Sequence, residues 1–224
     1  MIYVLSDIHG HRRRFDSVMN QIKLHADDTL YVLGDVVDRN PDGIRILRQL
    51  MAMPNVKLLL GNHELLMLNA LYEPFCEQVA KRGKTNEQSL AHWYRNGGEV
   101  THDHLKRIRK SLRTDIFEFL AQLPLNQRIE VGGRSYLLTH AAPVELYSSN
   151  SCYATERDFA VWHRFTGDEK NPYDCTVVFG HSGTYHYQQD NPMKELKRCY
   201  KSGGAHRSDT LRPGCLPFVQ SFLV

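Results

Sequence analysis

Short apolar runs alternate with polar corners and helical periods through the first third of the chain. Ile2–Leu5, Leu30–Leu33 and Val56–Leu60 are brief, mainly apolar and closed by polar or glycine-containing corners, as buried strands are. Between the first two, Phe15, Val18, Met19 and Ile22 recur at three- and four-residue steps that place them on one helix face. Ile44, Leu47, Leu50 and Met51 keep that spacing after Asn40-Pro41-Asp42, a segment suited to a helix start. Strands alternating with helices predict an α/β core. After Leu71 the pattern loosens. Glu73-Pro74, Gly83 and Gly97-Gly98 punctuate a polar stretch, which predicts an inserted helical lobe over about 72–123, closed by a helical pair carrying Ile116, Phe119, Leu120 and Leu123. Strand patterns return at Arg128–Val131 and Arg134–Leu138, joined by Gly132-Gly133 as a two-residue hairpin, and at Thr176–Phe179.

A chain of 224 residues is expected to form one domain over 1–224, with enough length to bury a core. Its 42% hydrophobic and 24% charged residues match ordinary globular composition. The net charge of +3 gives no reason to expect nucleic-acid binding, and Arg12-Arg13-Arg14 falls on the polar side of a predicted helix. No apolar run approaches a membrane span and no leader pattern opens the chain, so a cytoplasmic location is expected. Cys76, Cys152, Cys175, Cys199 and Cys215 are odd in number and scattered without a Cys-x-x-Cys pair, which reads as reduced thiols.

Metal-competent residues recur at the ends of apolar runs, where α/β sheets place their sites. Asp7-Ile8-His9 follows the first run, and its two side chains face one way if the backbone is still extended there. Gly34-Asp35-Val36-Val37-Asp38-Arg39 follows the second, offering two carboxylates and a guanidinium fork suited to phosphate oxygens. Taken alone, Asp38-Arg39 reads equally as a turn ion pair. Gly61-Asn62-His63-Glu64 follows the third run, with Asn62 and His63 adjacent and expected to point in different directions. His140 and His181 each follow a later strand, whereas His25, His92, His102, His104 and His186 lack that context and read as surface or loop residues. Oxygen and nitrogen donors without a thiolate suit manganese, iron or zinc. No lysine-bearing phosphate loop and no Gly-x-Ser-x-Gly elbow is present.

These blocks, in this order, resemble the phosphoprotein phosphatase branch of the calcineurin-like metallophosphoesterases, whose pattern is Gly-Asp-x-His-Gly, Gly-Asp-x-Val-Asp-Arg-Gly, Gly-Asn-His-Glu and two later histidines. The length and Trp93-Tyr94-Arg95-Asn96-Gly97-Gly98 are most similar to the small bacterial and phage Ser/Thr protein phosphatases of that branch. The resemblance implies a sandwich of two mixed β-sheets flanked by helices. It implies two divalent metals, manganese foremost: Asp7, His9 and Asp35 hold one, and Asp35, Asn62, His140 and His181 hold the other. A hydroxide shared by them would attack phosphorus in line, His63 would serve as general acid oriented by Asp38, and Arg39 and Arg164 would hold phosphate oxygens.

Three substitutions depart from the pattern. Ser6 and Asn40 each replace a glycine, the latter tolerable because Asn accepts left-handed backbone. Leu60 stands where many protein phosphatases of the branch carry arginine, whereas its bacterial dinucleoside tetraphosphatases tend to carry an apolar residue there. In residues 199–224 the usual aspartate-containing strand pair is traceable only as Asp209-Thr210 and Gly214-Cys215. The leading expectation is hydrolysis of phosphoserine and phosphothreonine in proteins; the alternative is hydrolysis of a dinucleoside polyphosphate such as diadenosine tetraphosphate, and the minor one is a catalytically silent phosphate- or protein-binding module. Tyr72–Gly98 is expected to line the substrate cleft.

Overall fold

A computed structural model describes residues 1–148, 152–165, 171–183, 200–202 and 219–222. Its strands are β1 (Ile2–Leu5), β2 (Thr29–Val32), β3 (Val56–Leu58), β4 (Asn126–Val131), β5 (Arg134–Thr139), β6 (Thr176–Phe179), β7 (Tyr200–Ser202) and β8 (Val219–Phe222). Two four-stranded sheets result, ordered β3-β2-β1-β8 and β4-β5-β6-β7. In each sheet, parallel pairs coexist with one antiparallel pair: β1 with β8 in the first, β4 with β5 in the second. The expected Gly132-Gly133 turn joins β4 to β5, and both glycines have positive φ, as a tight two-residue hairpin requires.

Side-chain alternation decides how the sheets stack. Val4, Tyr31, Leu33 and Leu59 project from the first sheet into one cluster with Ile129, Tyr136, Leu138 and Val178 of the second. Their neighbours Tyr3, Leu5, Leu30 and Val32 point the other way and are covered by helices. These include α1 (Arg12–Ile22), α2 (Gly43–Met51) and α3 (Asn62–Leu71), with Phe15, Val18, Ile44, Leu47 and Leu68 in the contact. On the far side of the second sheet, Leu137, Val177 and Phe179 pack against Phe159 of α8 (Glu156–Trp162). The two mixed sheets are therefore a sandwich with helices on both outer faces.

The stretch after Leu71 holds four helices rather than one closing pair: α4 (Glu73–Ala80), α5 (Asn86–Arg95), α6 (Glu99–Arg107) and α7 (Lys110–Ala121). Thr85 caps α5 in a reciprocal box with Gln88, so the polar sequence there starts a helix as well as interrupting one. Phe75, Trp93, Leu105 and Ile116 bring these four helices into the same apolar cluster as β1 and β2. Arg12 pairs with Asp16 one turn along α1, in keeping with a solvated helix face. Cys76, Cys152 and Cys175 are free thiols, while Cys199, Cys215 and the Asp209-Thr210 and Gly214-Cys215 pairs lie outside the described residues. Among the described residues no helix is long and apolar enough to cross a membrane.

Parallel register is what gathers the chemistry. Leu5 sits beside Val32, so β1 and β2 end together and release Asp7 and Asp35 at one edge. Leu138 sits beside Val178, which does the same for His140 and His181 in the second sheet. Leu138 is fully buried between the sheets. Replacing it with alanine is expected to cost about 2–5 kcal/mol in chemical denaturation, with little change in secondary structure by circular dichroism.

Candidate metal centre

The strand ends do not stay extended. Asp7, His9, Asp35, Asp38, Arg39 and His181 all have positive φ, six of the seven non-glycine residues that do among those described. Left-handed backbone at non-glycine positions costs about 1–3 kcal/mol each and persists where surrounding contacts impose it. The expected extended Asp-x-His is thus two successive kinks, since His9 N–H donates to Asp35 O and Gly10 N–H to Val36 O in the facing loop. The two side chains still converge, with His9 Nε2 3.9 Å from Asp7 Oδ1. The left-handed pair falls at Asp38-Arg39 and not at Asn40, whose Nδ2 instead donates to His9 O.

Two donor groups share Asp35. On one side, His9 Nε2 is 3.6 Å from Asp35 Oδ2, and His9 Nδ1, 3.2 Å from the Val37 carbonyl, carries the proton that leaves Nε2 as a lone pair. On the other, His140 Nε2 is 3.5 Å from Asp35 Oδ1 while its Nδ1–H donates to Leu33 O at 2.6 Å. Asn62 Oδ1 lies 2.9 Å from both His140 Nε2 and His181 Nδ1, so electron-rich atoms crowd together around it. Asp7 Oδ2 accepts from the His181 backbone N–H, which ties the first strand of one sheet to the third of the other. Gly180 permits that approach: a Cβ there would lie 2.4 Å from Asp7 Oδ2.

His63 faces differently from Asn62, as adjacent positions on the first turn of α3 must. Its Nδ1–H donates to Asp38 Oδ2 at 2.8 Å, and its Nε2 accepts from Arg39 Nη2 at 3.0 Å. Among geometrically possible metal groups, His63 joins His9 and Asp35, yet the guanidinium already occupies the lone pair that a cation would need. Asp38 does not pair with Arg39 across the turn: the same Oδ2 also accepts from the indole Nε1 of Trp93 at 2.8 Å, and the Asp38 backbone N–H donates to Thr101. Arg164 reaches the edge of the site, where its guanidinium donates to His181 O and Ser182 Oγ.

Burial is the foremost cause of every pKa displacement here. It holds His9, His63, His140 and His181 below the usual imidazole range, leaving neutral rings with lone pairs to offer. It raises Asp35, with the Asp7 and Glu64 carboxylates adding to the rise, and brings Asp38 to about 7 against hydrogen bonds from Thr101 and Trp93. A buried carboxylate loaded with like charge is a place that a cation stabilises. His9 Nε2, 3.6 Å from Asp35 Oδ2, is buried without a hydrogen-bond partner, so its unspent lone pair lies where such a cation would sit. The residues fit two divalent ions: Asp7, His9 and Asp35 could hold one, and Asp35, Asn62, His140 and His181 the other.

The sequence model of a family described as calcineurin-like phosphoesterase matches residues 1–209. The chain belongs to the calcineurin-like phosphoesterase family. A protein of Acidovorax sp. (strain JS42) named symmetrical bis(5'-nucleosyl)-tetraphosphatase is 29% identical over 155 residues, 68% of this chain and 48% of its own. One of the same name from Proteus mirabilis (strain HI4320) is 31% identical over 115 residues, 47% of this chain and 41% of its own. The matched chain thus spans less than half the length of these relatives. A crystal structure provisionally assigned as a diadenosine tetraphosphatase shares the fold with a TM-score of 0.55 at 20% identity, covering 91% of this chain and 82% of that one. A Saccharomyces cerevisiae serine/threonine phosphatase with similarity to human phosphatase PP5 gives 0.50 at 14% identity, covering 81% and 60%.

Within this calcineurin-like site, the sequence blocks contain the candidate donors, but they give no role to three residues that hold them, Glu64, Trp93 and Thr101. Glu64 is 1% exposed, and its carboxylate accepts from the backbone N–H groups of Asp35, Val36 and Val37 at 2.8, 2.8 and 3.2 Å. Trp93 and Thr101 belong to the helical stretch and reach Asp38 across more than fifty residues of chain, a distance at which periodicity carries no signal. His92 and His102 are not loop residues: they lie half-buried on α5 and α6, His92 stacked on Trp162 and His102 within 2.6 Å of the Tyr94 hydroxyl. Glu64→Gln turns one acceptor toward amide N–H groups as a donor. It is expected to cost about 1–3 kcal/mol of stability and to weaken manganese binding about 10–100-fold in equilibrium titration. Trp93→Phe keeps the aromatic packing but removes the indole donor, and about a tenfold fall in kcat at unchanged metal content is the expected outcome.

Proposed function

We propose that the chain is a metal-dependent hydrolase of nucleoside polyphosphates, with a dinucleoside tetraphosphate as the substrate class, acting as a single metallophosphatase domain over residues 1–224. The observation that carries this reading is Leu60. It is 2% exposed and packed in the apolar cluster beneath the site, so the position before Gly-Asn-His offers no donor to a phosphorylated protein. The names of the relatives from Acidovorax sp. and Proteus mirabilis support the same class.

Asp7, His9 and Asp35 would hold one divalent ion and Asp35, Asn62, His140 and His181 a second, with manganese the first choice and iron or zinc the others. Such ions polarise phosphoryl oxygens and lower the pKa of water. The chain's own residues do the rest. Arg39 and Arg164 flank the site and neutralise the nonbridging oxygens as charge builds on them. His63 Nε2, which accepts from Arg39 in the free site, would carry the proton toward the leaving oxygen once that guanidinium turns to the phosphate. Asp38, bonded to Nδ1, fixes the ring and stabilises its cationic form.

That pair favours a second reading. A serine or threonine alkoxide is a poor leaving group that needs a proton, whereas a nucleoside diphosphate leaves readily without one. A buried, doubly anchored His63–Asp38 acid is therefore also what hydrolysis of phosphoserine and phosphothreonine would use. Turnover of diadenosine tetraphosphate, a phosphothreonine peptide and p-nitrophenyl phosphate by manganese-loaded enzyme separates the two, and preference for the dinucleotide is the expected result. Preference for the peptide would replace the nucleotide reading with the protein one. His63→Asn is expected to lower kcat about 10²–10⁴-fold on the peptide and less on the dinucleotide, with metal content retained. Inactivity of the loaded wild-type protein on all three substrates would leave a silent phosphate-binding module as the reading.

A further inference from the structure

A groove of about 770 Å³ opens beside the metal centre, between the α4–α5 segment and α8. Trp162 connects the two: its ring meets His181 edge-on at 5.8 Å and lies parallel to His92 at 5.9 Å and 15°. Leu66 and Asn69 form the floor. Asn69 is seven residues along α3 from Asn62, roughly 10 Å at 1.5 Å per residue. None of the candidate metal ligands lines the groove; Trp162, in ring contact with His181, and Leu66, four residues after Asn62 on α3, are the lining residues that link it to the centre.

Its chemistry is two-sided. Trp162 and His92 present aromatic surface, and burial, followed by the nearby Lys84 and Arg95 charges, keeps the His92 imidazole neutral. Arg82 is neutralised by Asp158 at 2.8 Å, across the groove. Lys84 and Arg95 are exposed and form no ion pair among the described residues, so two positive charges remain on the lining. Nothing in hydrolysis of one phosphate uses them.

We propose that this groove receives the leaving half of a nucleoside polyphosphate, with Lys84 and Arg95 holding phosphates beyond the scissile bond and the Trp162–His92 surface stacking the base. The inference rests on the nucleotide reading above and adds where that substrate lies. Aromatic surface beside unpaired cations complements a planar base joined to several anionic groups. A phosphopeptide would use the cations and leave the rings without a role.

Diadenosine tetraphosphate titrated into metal-stripped protein in the presence of EDTA, followed calorimetrically, reads the groove without turnover. Lys84→Ala/Arg95→Ala and Trp162→Ala are each expected to weaken binding about tenfold, while Trp162→Phe stays within about twofold. Equal thermal melting of the exposed Lys84/Arg95 double variant guards against misfolding. In manganese-loaded enzyme, the ratio of kcat/KM on dinucleotide to that on p-nitrophenyl phosphate is expected to fall about tenfold in both alanine variants. Absence of saturable binding by wild type, or equal binding by all variants, overturns the groove assignment. So does a loss confined to phosphothreonine peptide. Wild-type protein that binds the dinucleotide through these residues yet does not cleave it would overturn the nucleotide-hydrolase reading while leaving the groove in place.

Discussion

The site depends on one buried carboxylate. Glu64 gathers the three backbone N–H groups of Asp35, Val36 and Val37, so the loop after β2 is pinned to the first turn of α3. That contact places Asp35 where its Oδ1 accepts from the His63 backbone N–H, and it sets Asn62 and His63 on either side of it. A carboxylate with no solvent is costly unless its oxygens are satisfied; three amide donors offset part of that cost, and burial still raises the Glu64 pKa. Gly61 is part of the same constraint, because a Cβ there would fall 2.4 Å from the Asp35 N and Oδ1 atoms and 2.6 Å from Glu64 Oε2.

Around this clamp the protein accepts strain in exchange for convergence. Six site residues hold left-handed backbone, and buried imidazoles stay neutral beside buried carboxylates. Neither condition favours folding alone. Both are offset by two apolar clusters, one between the sheets and one under the helices, which fix the strand ends from opposite sides. Divalent ions in the shared position would relieve the remaining imbalance of charge, so their binding would also add stability.

The helical stretch between α3 and β4 reaches both the candidate site and the groove beside it. Trp93 on α5 reaches inward to Asp38, whereas His92, one residue earlier, turns outward to Trp162 and the groove. Adjacent helical positions point about 100° apart, so one helix can bond the Asp38 carboxylate and line the groove at once. Residues 72–98, expected to line the substrate cleft, thus contribute both to the hydrogen bonding of Asp38 and to the lining of the groove.

The sequence alone determined the alternation of strands and helices, the hairpin at Gly132-Gly133 and the candidate ligands that the structure brings together, because each is a local pattern: a period, a turn or a short block after an apolar run. Tertiary structure decided the remainder. The kinked rather than extended Asp7-Ile8-His9, the inward turn of Asp38 away from Arg39, and the placement of four helices rather than a pair all follow from contacts between distant segments. Glu64 and Trp93 stand inside the sequence blocks and Thr101 outside them, but nothing in their spacing shows that they reach the loop after β2. What selects them is the register of two parallel strand pairs and the packing of α3 and α5 over their ends, which bring atoms from dozens of residues apart within hydrogen-bonding distance.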